Sequence, residues 1–186
     1  MIVTLERLLA TDLAGKVVVF ETDTVYGIGC LLDDEAAVRR IYAIKHRESN
    51  KPMAVLAADV DQVIPLVRDF APAERIAAKY WPGALTIVLP KSEAVPDFVT
   101  SGIGTVGIRI PASRVARTIL ARFGPMAVTS LNLSSEPAIL TWSDAKAYDG
   151  VADYLVAGPD LDGVASTVYD PILKKTLRQG VITVED

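Results

Sequence analysis

The residue pattern predicts a single α/β domain with a twisted, mixed parallel and antiparallel open sheet flanked by helices. Three observations carry that expectation. Short β-branched runs alternate with amphipathic helical stretches along the whole chain. The 186 residues contain no internal repeat, low-complexity tract or linker, which suits one domain over 1–186. The tail ASTVYDPILKKTLRQG holds two strand-like pieces around a short turn, so a hairpin adds antiparallel pairing to parallel crossovers.

Taken in order, the strand candidates are 17–20, 53–57, 86–89, 106–110, 126–129, 154–156, 166–169 and 176–178. Several are unbroken apolar runs, as expected of strands covered on both faces. Thr4 is placed to cap a helix reaching about Asp12, and Asp33 or Asp34 to cap one from Glu35 to about Lys45. Pro72 suits the first turn of a helix that runs to Tyr80 and stops at Pro82-Gly83. Ser113 opens a helix that ends at Gly124, and Thr141 with Asp144 resembles a capping box.

Composition narrows the function classes. The chain carries 19 basic and 23 acidic residues, a net charge of −4, which argues against a protein that mainly grips nucleic-acid backbone. One cysteine, Cys30, excludes an internal disulfide, and with one histidine, His46, a zinc site of thiolates and imidazoles is not expected. No apolar run reaches the roughly 20 residues of a membrane span. The N-terminus lacks a basic region followed by an apolar core, so a cytoplasmic protein without a membrane partner is expected.

Four segments concentrate chemistry. FETDTVYGIGC follows a valine run with hydroxyls, a carboxylate and Gly27-x-Gly29, yet lacks the third glycine of a dinucleotide fingerprint. It reads either as a strand end with an Asx-type turn at Asp23 or as one wall of a ligand site. In AIKHRESNKP, Lys45 falls seven residues after Val38, on the inward helix face, and needs a carboxylate or a bound anion as acceptor. Arg47 and Lys51 follow, a set suited either to polyphosphate or to side chains snorkelling from a frayed helix end. In TVGIRIP, alternation puts Val106, Ile108 and Ile110 on one face and Thr105, Gly107 and Arg109 on the other. Arg109 then meets either a carboxylate ligand or an internal salt-bridge partner. In AVTSLNLSSEP a second strand ends in hydroxyls and an amide: Thr129, Ser130, Asn132 and Ser134. These either bond backbone in a turn or face a ligand off the strand ends. Ser130 is not flanked as Gly-x-Ser-x-Gly, and His46 is expected to be exposed, so a serine nucleophile is a poor reading. Trp81 reads as core or pocket wall.

Seven motifs then occur in order: ETDTVYGIG, the Lys-x-Arg of KHR followed by KP, YWPGALT, VGIRIP, the Ser-x-Asn of TSLNLS, ASTVYD and LRQG. Together they resemble the YrdC/Sua5 family of threonylcarbamoyl-AMP synthases, in its short form, over about 17–180. The resemblance implies a YrdC/RibB-like fold and a nucleotidyltransferase acting in tRNA modification. Threonine's amine would be carboxylated by bicarbonate or CO2, and the carbamate would attack the α-phosphate of ATP, releasing pyrophosphate, with Mg2+ on the phosphates and no metal ligands from the protein. A separate transferase would then load tRNA, which this protein would meet indirectly or weakly. By motif, Lys45 and Arg47 would be catalytic. Lys45, Arg47, Lys51, Thr105, Ser130, Asn132 and Arg178 would bind the nucleotide. Thr22, Thr24, Tyr26, Arg109 and Ser166 would meet L-threonine. Chemistry of this kind relies on positioning and charge stabilisation, so no Cys, His or Ser nucleophile is needed. The sequence departs from the family pattern at Glu48, Ala84 and Gln179, where prolines are common, at Ser135, a usual glycine, and at Leu56, often histidine in longer members. Competing readings are a YciO-like paralogue acting on another substrate, a protein binding tRNA or double-stranded RNA, and a carbamoyl-adenylate role in hydrogenase maturation.

Overall fold

Ten strands form one sheet in a computed structural model that describes residues 1–185. In chain order they are β1 (Ile2–Val3), β2 (Val18–Glu21), β3 (Tyr26–Leu31), β4 (Ala54–Leu56), β5 (Leu85–Pro90), β6 (Thr105–Arg109), β7 (Met126–Ser130), β8 (Tyr154–Val156), β9 (Thr167–Asp170) and β10 (Lys175–Arg178). Across the sheet the order is β1-β8-β2-β3-β7-β4-β6-β5-β9-β10. Parallel pairs (β1·β8, β2·β8, β4·β6, β5·β9) mix with antiparallel ones, as expected. The tail forms the β9–β10 hairpin.

The helices start where the sequence supplies caps. Thr4 accepts from the Arg7 amide to open α1 (Leu5–Leu9), three residues shorter than expected. Asp34, not Asp33, caps α2 (Glu35–Ile44). Asp59 caps the short α3 (Val60–Val63), which sequence periodicity did not reveal. Pro72 sits in a 3-10 turn, Ala71–Ala73, ahead of α4 (Glu74–Tyr80), because a proline ring fits a first turn but donates no bond. After α5 (Asp97–Thr100), Ser113 caps α6 (Arg114–Phe123), closed at Gly124, and Thr141 caps α7 (Trp142–Ala145).

The main correction concerns FETDTVYGIGC. Its second half is not a loop but the central strand β3, antiparallel to β2 and β7. Tyr26, Ile28 and Cys30 enter the core on one face, while Gly27 and Gly29 lie on the other. Both glycines make room for the Val128 side chain. A Cβ on Gly29 would stand 2.8 Å from Val128 Cγ2 and 2.9 Å from the Ala127 carbonyl; one on Gly27 would stand 3.1 Å from Val128 Cγ1. Val128 thus lies flat over both.

The two sheet faces differ. One packs Val19, Ile28, Val55, Ile87, Ile108 and Ala127 into the larger core with α2 and α4. On the other, α1 and α6 cover Val18, Phe20, Met126 and Val128 with Leu8, Ile119 and Leu120. Those helices cover only part of that face, and a cavity occupies the rest. Among the described residues, no helix is long and apolar enough to cross a membrane.

Candidate functional site

The cavity has a volume of about 630 Å³, within the range of small-molecule sites. Register explains its walls. Pairing places Gly27 opposite Ser130, Leu56 beside Arg109, and Val88 opposite Gly107, all on the face that α1 and α6 leave open. The expected alternation in β6 holds: Thr105, Gly107 and Arg109 all line the cavity, and Val106 and Ile108 are core. Thr22, Thr24, Arg47, Ser130, Asn132, Ser166 and Arg178 line it as well. Thr86, Leu56 and Glu136 are lining residues that the motif reading did not assign to the site. Thr86 could have been found by extending the alternation of β6 to its antiparallel partner β5.

Arg109 anchors one end. Its side chain is buried, with Nε donating to the Gly83 carbonyl at 2.9 Å, Nη1 to Thr24 Oγ1 at 2.8 Å and Nη2 to Asp23 Oδ1 at 2.6 Å. The internal salt-bridge partner expected for this arginine is Asp23, and the arginine also faces the cavity. Three of its five N–H groups are engaged among the described residues, so two are left for a ligand. Burial pushes its pKa down, and the Asp23 carboxylate opposes that shift. The turn behind it is organised by Thr22 rather than by an Asx motif at Asp23. Thr22 Oγ1 accepts from the Thr24 and Val25 amides, while Asp23 Oδ1 accepts from Arg109 and the Ala112 amide.

A second guanidinium stands nearby. Arg178, on the edge strand β10, donates to the Ser166 carbonyl through Nε at 3.2 Å and Nη2 at 2.9 Å, and through Nη2 to Ser166 Oγ at 3.2 Å. Burial lowers its pKa first, and the like charge of Arg109 adds to the effect.

At the other end lies the Ser-x-Asn turn after β7. Lys45 is inward as its helical phase requires, and almost fully buried. Its acceptors among the described residues are two backbone carbonyls and an amide oxygen. The ammonium donates to the Ser130 carbonyl, to the Asn132 carbonyl at 2.8 Å and to Asn132 Oδ1 at 2.7 Å. Ser130 Oγ donates to the same Oδ1 at 2.7 Å. Desolvation, reinforced by the Arg47 charge, pushes Lys45 down to about 8. Ser135, the departure from glycine, has φ 74, a left-handed conformation that glycine adopts without strain.

The expected cluster of three cations is only partly assembled. Arg47 lines the cavity and donates to the Lys51 and Pro52 carbonyls. Lys45 sits behind the Ser-x-Asn turn, and Lys51 lies outside the wall, 3.4 Å from Glu48. Tyr26 also departs from the expected site. Its ring is in the core, its hydroxyl donates to the Pro159 carbonyl at 2.9 Å, and burial with the nearby Glu21 charge pushes its pKa up to about 12. His46 is exposed, as expected, and Trp81 is core, its indole N–H bonded to the Leu85 carbonyl.

The loop 158–166 closes the Arg109 end. A Cβ on Gly163 would fall inside the Thr24 carbonyl, and one on Gly158 would stand 2.8 Å from the Tyr26 hydroxyl. The loop therefore touches the opening turn at two glycines that admit no side chain.

Comparison with known proteins gives this geometry a context. The chain is 38% identical over 181 residues to the threonylcarbamoyl-AMP synthase of Pyrococcus abyssi, covering 92% of this chain and 52% of that protein. It is 39% identical over 182 residues to the synthase of the same name from Bacillus subtilis, covering 91% and 51%. The chain thus spans about half the length of these relatives. Among solved structures, P. abyssi Sua5 complexed with L-threonine superposes with a TM-score of 0.86 at 33% identity, over 91% of this chain and 54% of that one. E. coli YciO gives 0.84 at 25% identity, over 95% and 89%. The family model Sua5_yciO_yrdC, described as Telomere recombination, matches residues 13–180. With that match spanning the cavity and every strand that lines it, the chain belongs to the Sua5/YciO/YrdC family.

Proposed function

We propose that this chain is an L-threonylcarbamoyladenylate synthase, a nucleotidyltransferase that makes threonylcarbamoyl-AMP and pyrophosphate from L-threonine, bicarbonate or CO2, and ATP. The observation that carries the reading is the cavity itself: a buried guanidinium with two unused N–H groups at one end, and a polar turn flanked by Arg47 at the other. The names of the relatives from P. abyssi and B. subtilis, and the threonine complex of P. abyssi Sua5, support the same direction.

In this reading Arg109 receives the threonine carboxylate, with the Thr22–Thr24 turn and Ser166 around it. The threonine amine takes up CO2 and loses a proton, giving a carbamate. A carbamate oxygen then forms a bond to the α-phosphorus of ATP as the bond to pyrophosphate breaks. Arg47, with Lys51 outside the wall, balances the phosphate charge. Lys45 acts from behind by holding Ser130 and Asn132 in place for the nucleotide, alongside Thr105 and Arg178. Positioning and charge supply the rate. Among the described residues no three metal-ligating side chains come together, so magnesium would sit on phosphate oxygens and water, with Glu136 the carboxylate among the lining residues. Bound there, it would neutralise phosphate charge. The product would pass to a transferase acting on tRNA.

The test supplies the purified protein with ATP, magnesium, labelled bicarbonate and L-threonine. Labelled threonylcarbamoyl-AMP with stoichiometric pyrophosphate is expected, and no product with any amino acid would refute the proposal.

A further inference from the structure

The hydroxyls around the Arg109 end are not equivalent, and counting their protons separates them. Thr22 has one hydroxyl proton and donates it to the Val25 carbonyl at 2.7 Å. Across the 3.0 Å contact between Thr22 Oγ1 and Thr24 Oγ1, Thr24 must then be the donor. A remaining lone pair of Thr24 accepts from Arg109 Nη1. Both threonine protons are therefore engaged inside the turn.

The second pair is different. Thr86 Oγ1 and Ser166 Oγ lie 2.8 Å apart, both residues are buried, and both face the cavity. Two hydroxyls sharing one hydrogen bond hold two protons, so one proton is left whichever group donates. That proton has no acceptor among the described residues: Ser166 Oγ accepts from Arg178 Nη2 and donates to nothing besides Thr86. Its neighbours are cationic. Antiparallel register, with Ile87 opposite Ile108, sets Thr86 across from Arg109, and Arg178 contacts Ser166 directly. A buried donor hydroxyl between two guanidiniums has an anion as its complement.

We infer that the Thr86–Ser166 hydroxyl pair, set between Arg109 and Arg178, donates a hydrogen bond to the carboxylate of the amino-acid ligand. The inference rests on the proposed amino-acid site and deepens it: Thr86 becomes a binding residue, and Arg178 serves the amino-acid end. Because either hydroxyl alone still carries a proton, the pair is redundant. Substituting one member leaves a donor; substituting both leaves none.

The experiment is calorimetric titration of L-threonine into the protein with ATP and without bicarbonate, so that binding is read apart from turnover. Thr86→Val and Ser166→Ala are expected to weaken binding by less than about fivefold each, and the double variant by about ten- to a hundredfold, as for loss of a hydrogen bond to a charged group. A double variant no worse than the product of the two singles would overturn the redundancy. L-2-aminobutyrate, which keeps the carboxylate and lacks the hydroxyl, is the second probe. If the pair meets the carboxylate, each variant weakens both ligands by the same factor. If the loss disappears with 2-aminobutyrate, the pair reads the side-chain hydroxyl and the inference fails. That comparison needs only the single variants, so it stands even if the double variant does not fold. Wild-type protein that binds no amino acid would overturn the proposed function along with the inference. Wild-type binding with an unaffected double variant would overturn the inference alone.

Discussion

Replacing Asp23 with alanine isolates the strongest electrostatic commitment in the structure. Asp23 Oδ1 accepts from Arg109 Nη2 at 2.6 Å and from the Ala112 amide at 2.9 Å, and the two side chains are 18% and 7% exposed. Two unit charges about 3 Å apart attract by about 5 kcal/mol at an effective dielectric of about 20. Removing the aspartate also removes the cost of desolvating it, so the net loss is smaller. Breaking one partner of a buried pair typically costs about 3–5 kcal/mol, because the other charge stays buried and unpaired. For a chain of this size that lowers Tm by about 6–20 °C. Urea unfolding followed by circular dichroism measures the change, and a double-mutant cycle with Arg109→Met assigns it. In the Arg109→Met background, Asp23→Ala should cost less by about 2–4 kcal/mol. An unchanged cost in that background, or a single-variant loss below about 1 kcal/mol, would refute the view that the carboxylate compensates Arg109.

Other perturbations have expected outcomes of their own. Gly29→Ala pushes a Cβ against Val128 and the Ala127 carbonyl and should destabilise the sheet by about 1–3 kcal/mol, read by the same unfolding assay. Gly163→Ala should displace the Thr24 turn and raise the KM for L-threonine at least about tenfold, since misplacement of about 1 Å costs about a hundredfold; unchanged kinetics would mean the close approach is dispensable. Arg47→Ala should weaken ATP binding while leaving L-threonine affinity unchanged, which titration of each ligand would check. Lys45 gives two pH trends of opposite sign. Its folded pKa, about 8, lies below its ordinary 10.5, so the unfolded chain binds more protons between those values. The burial penalty on the ammonium is fully present below pH 8 and is relieved towards 10.5, so wild type should gain stability relative to Lys45→Met over that window. ATP affinity should fall over the same window as the ammonium that holds Ser130 and Asn132 is lost. A stability difference that is flat in pH would contradict the depressed value.

Much of the architecture was legible because it depends on local signals. Thr4, Asp34, Ser113 and Thr141 each accept the amide bond their position predicts, and Gly124 ends α6. β6 was read correctly to the face, since alternation sorts side chains without reference to partners. The failures share a cause. β3 was missed because its glycines answer to Val128, a residue about a hundred positions away that no local pattern reveals. Lys45 was correctly turned inward, but two of its three acceptors are main-chain oxygens of a distant turn, and sequence composition shows only side chains. Tyr26 was assigned to the site by its motif, whereas strand parity sends it to the opposite face. The Thr86–Ser166 pair depends on pairing β5 with β9 across the sheet.

The two glycine contacts of the 158–166 loop carry a consequence for change in this protein. Gly158 is held against Tyr26 and Gly163 against Thr24, so the chain between them spans a fixed distance set by backbone touching side chain and backbone. Among the intervening residues, Pro159 to Asp162, the Asp160 carboxylate accepts from the Trp142 amide and Leu161 packs against the core, which ties the span at its middle as well. These residues cannot vary in number. An inserted or deleted residue would move Gly163 off the Thr24 carbonyl and put a larger residue in its place. The loop therefore works as a measured length, and its register fixes how closely the wall containing Ser166 approaches Arg109.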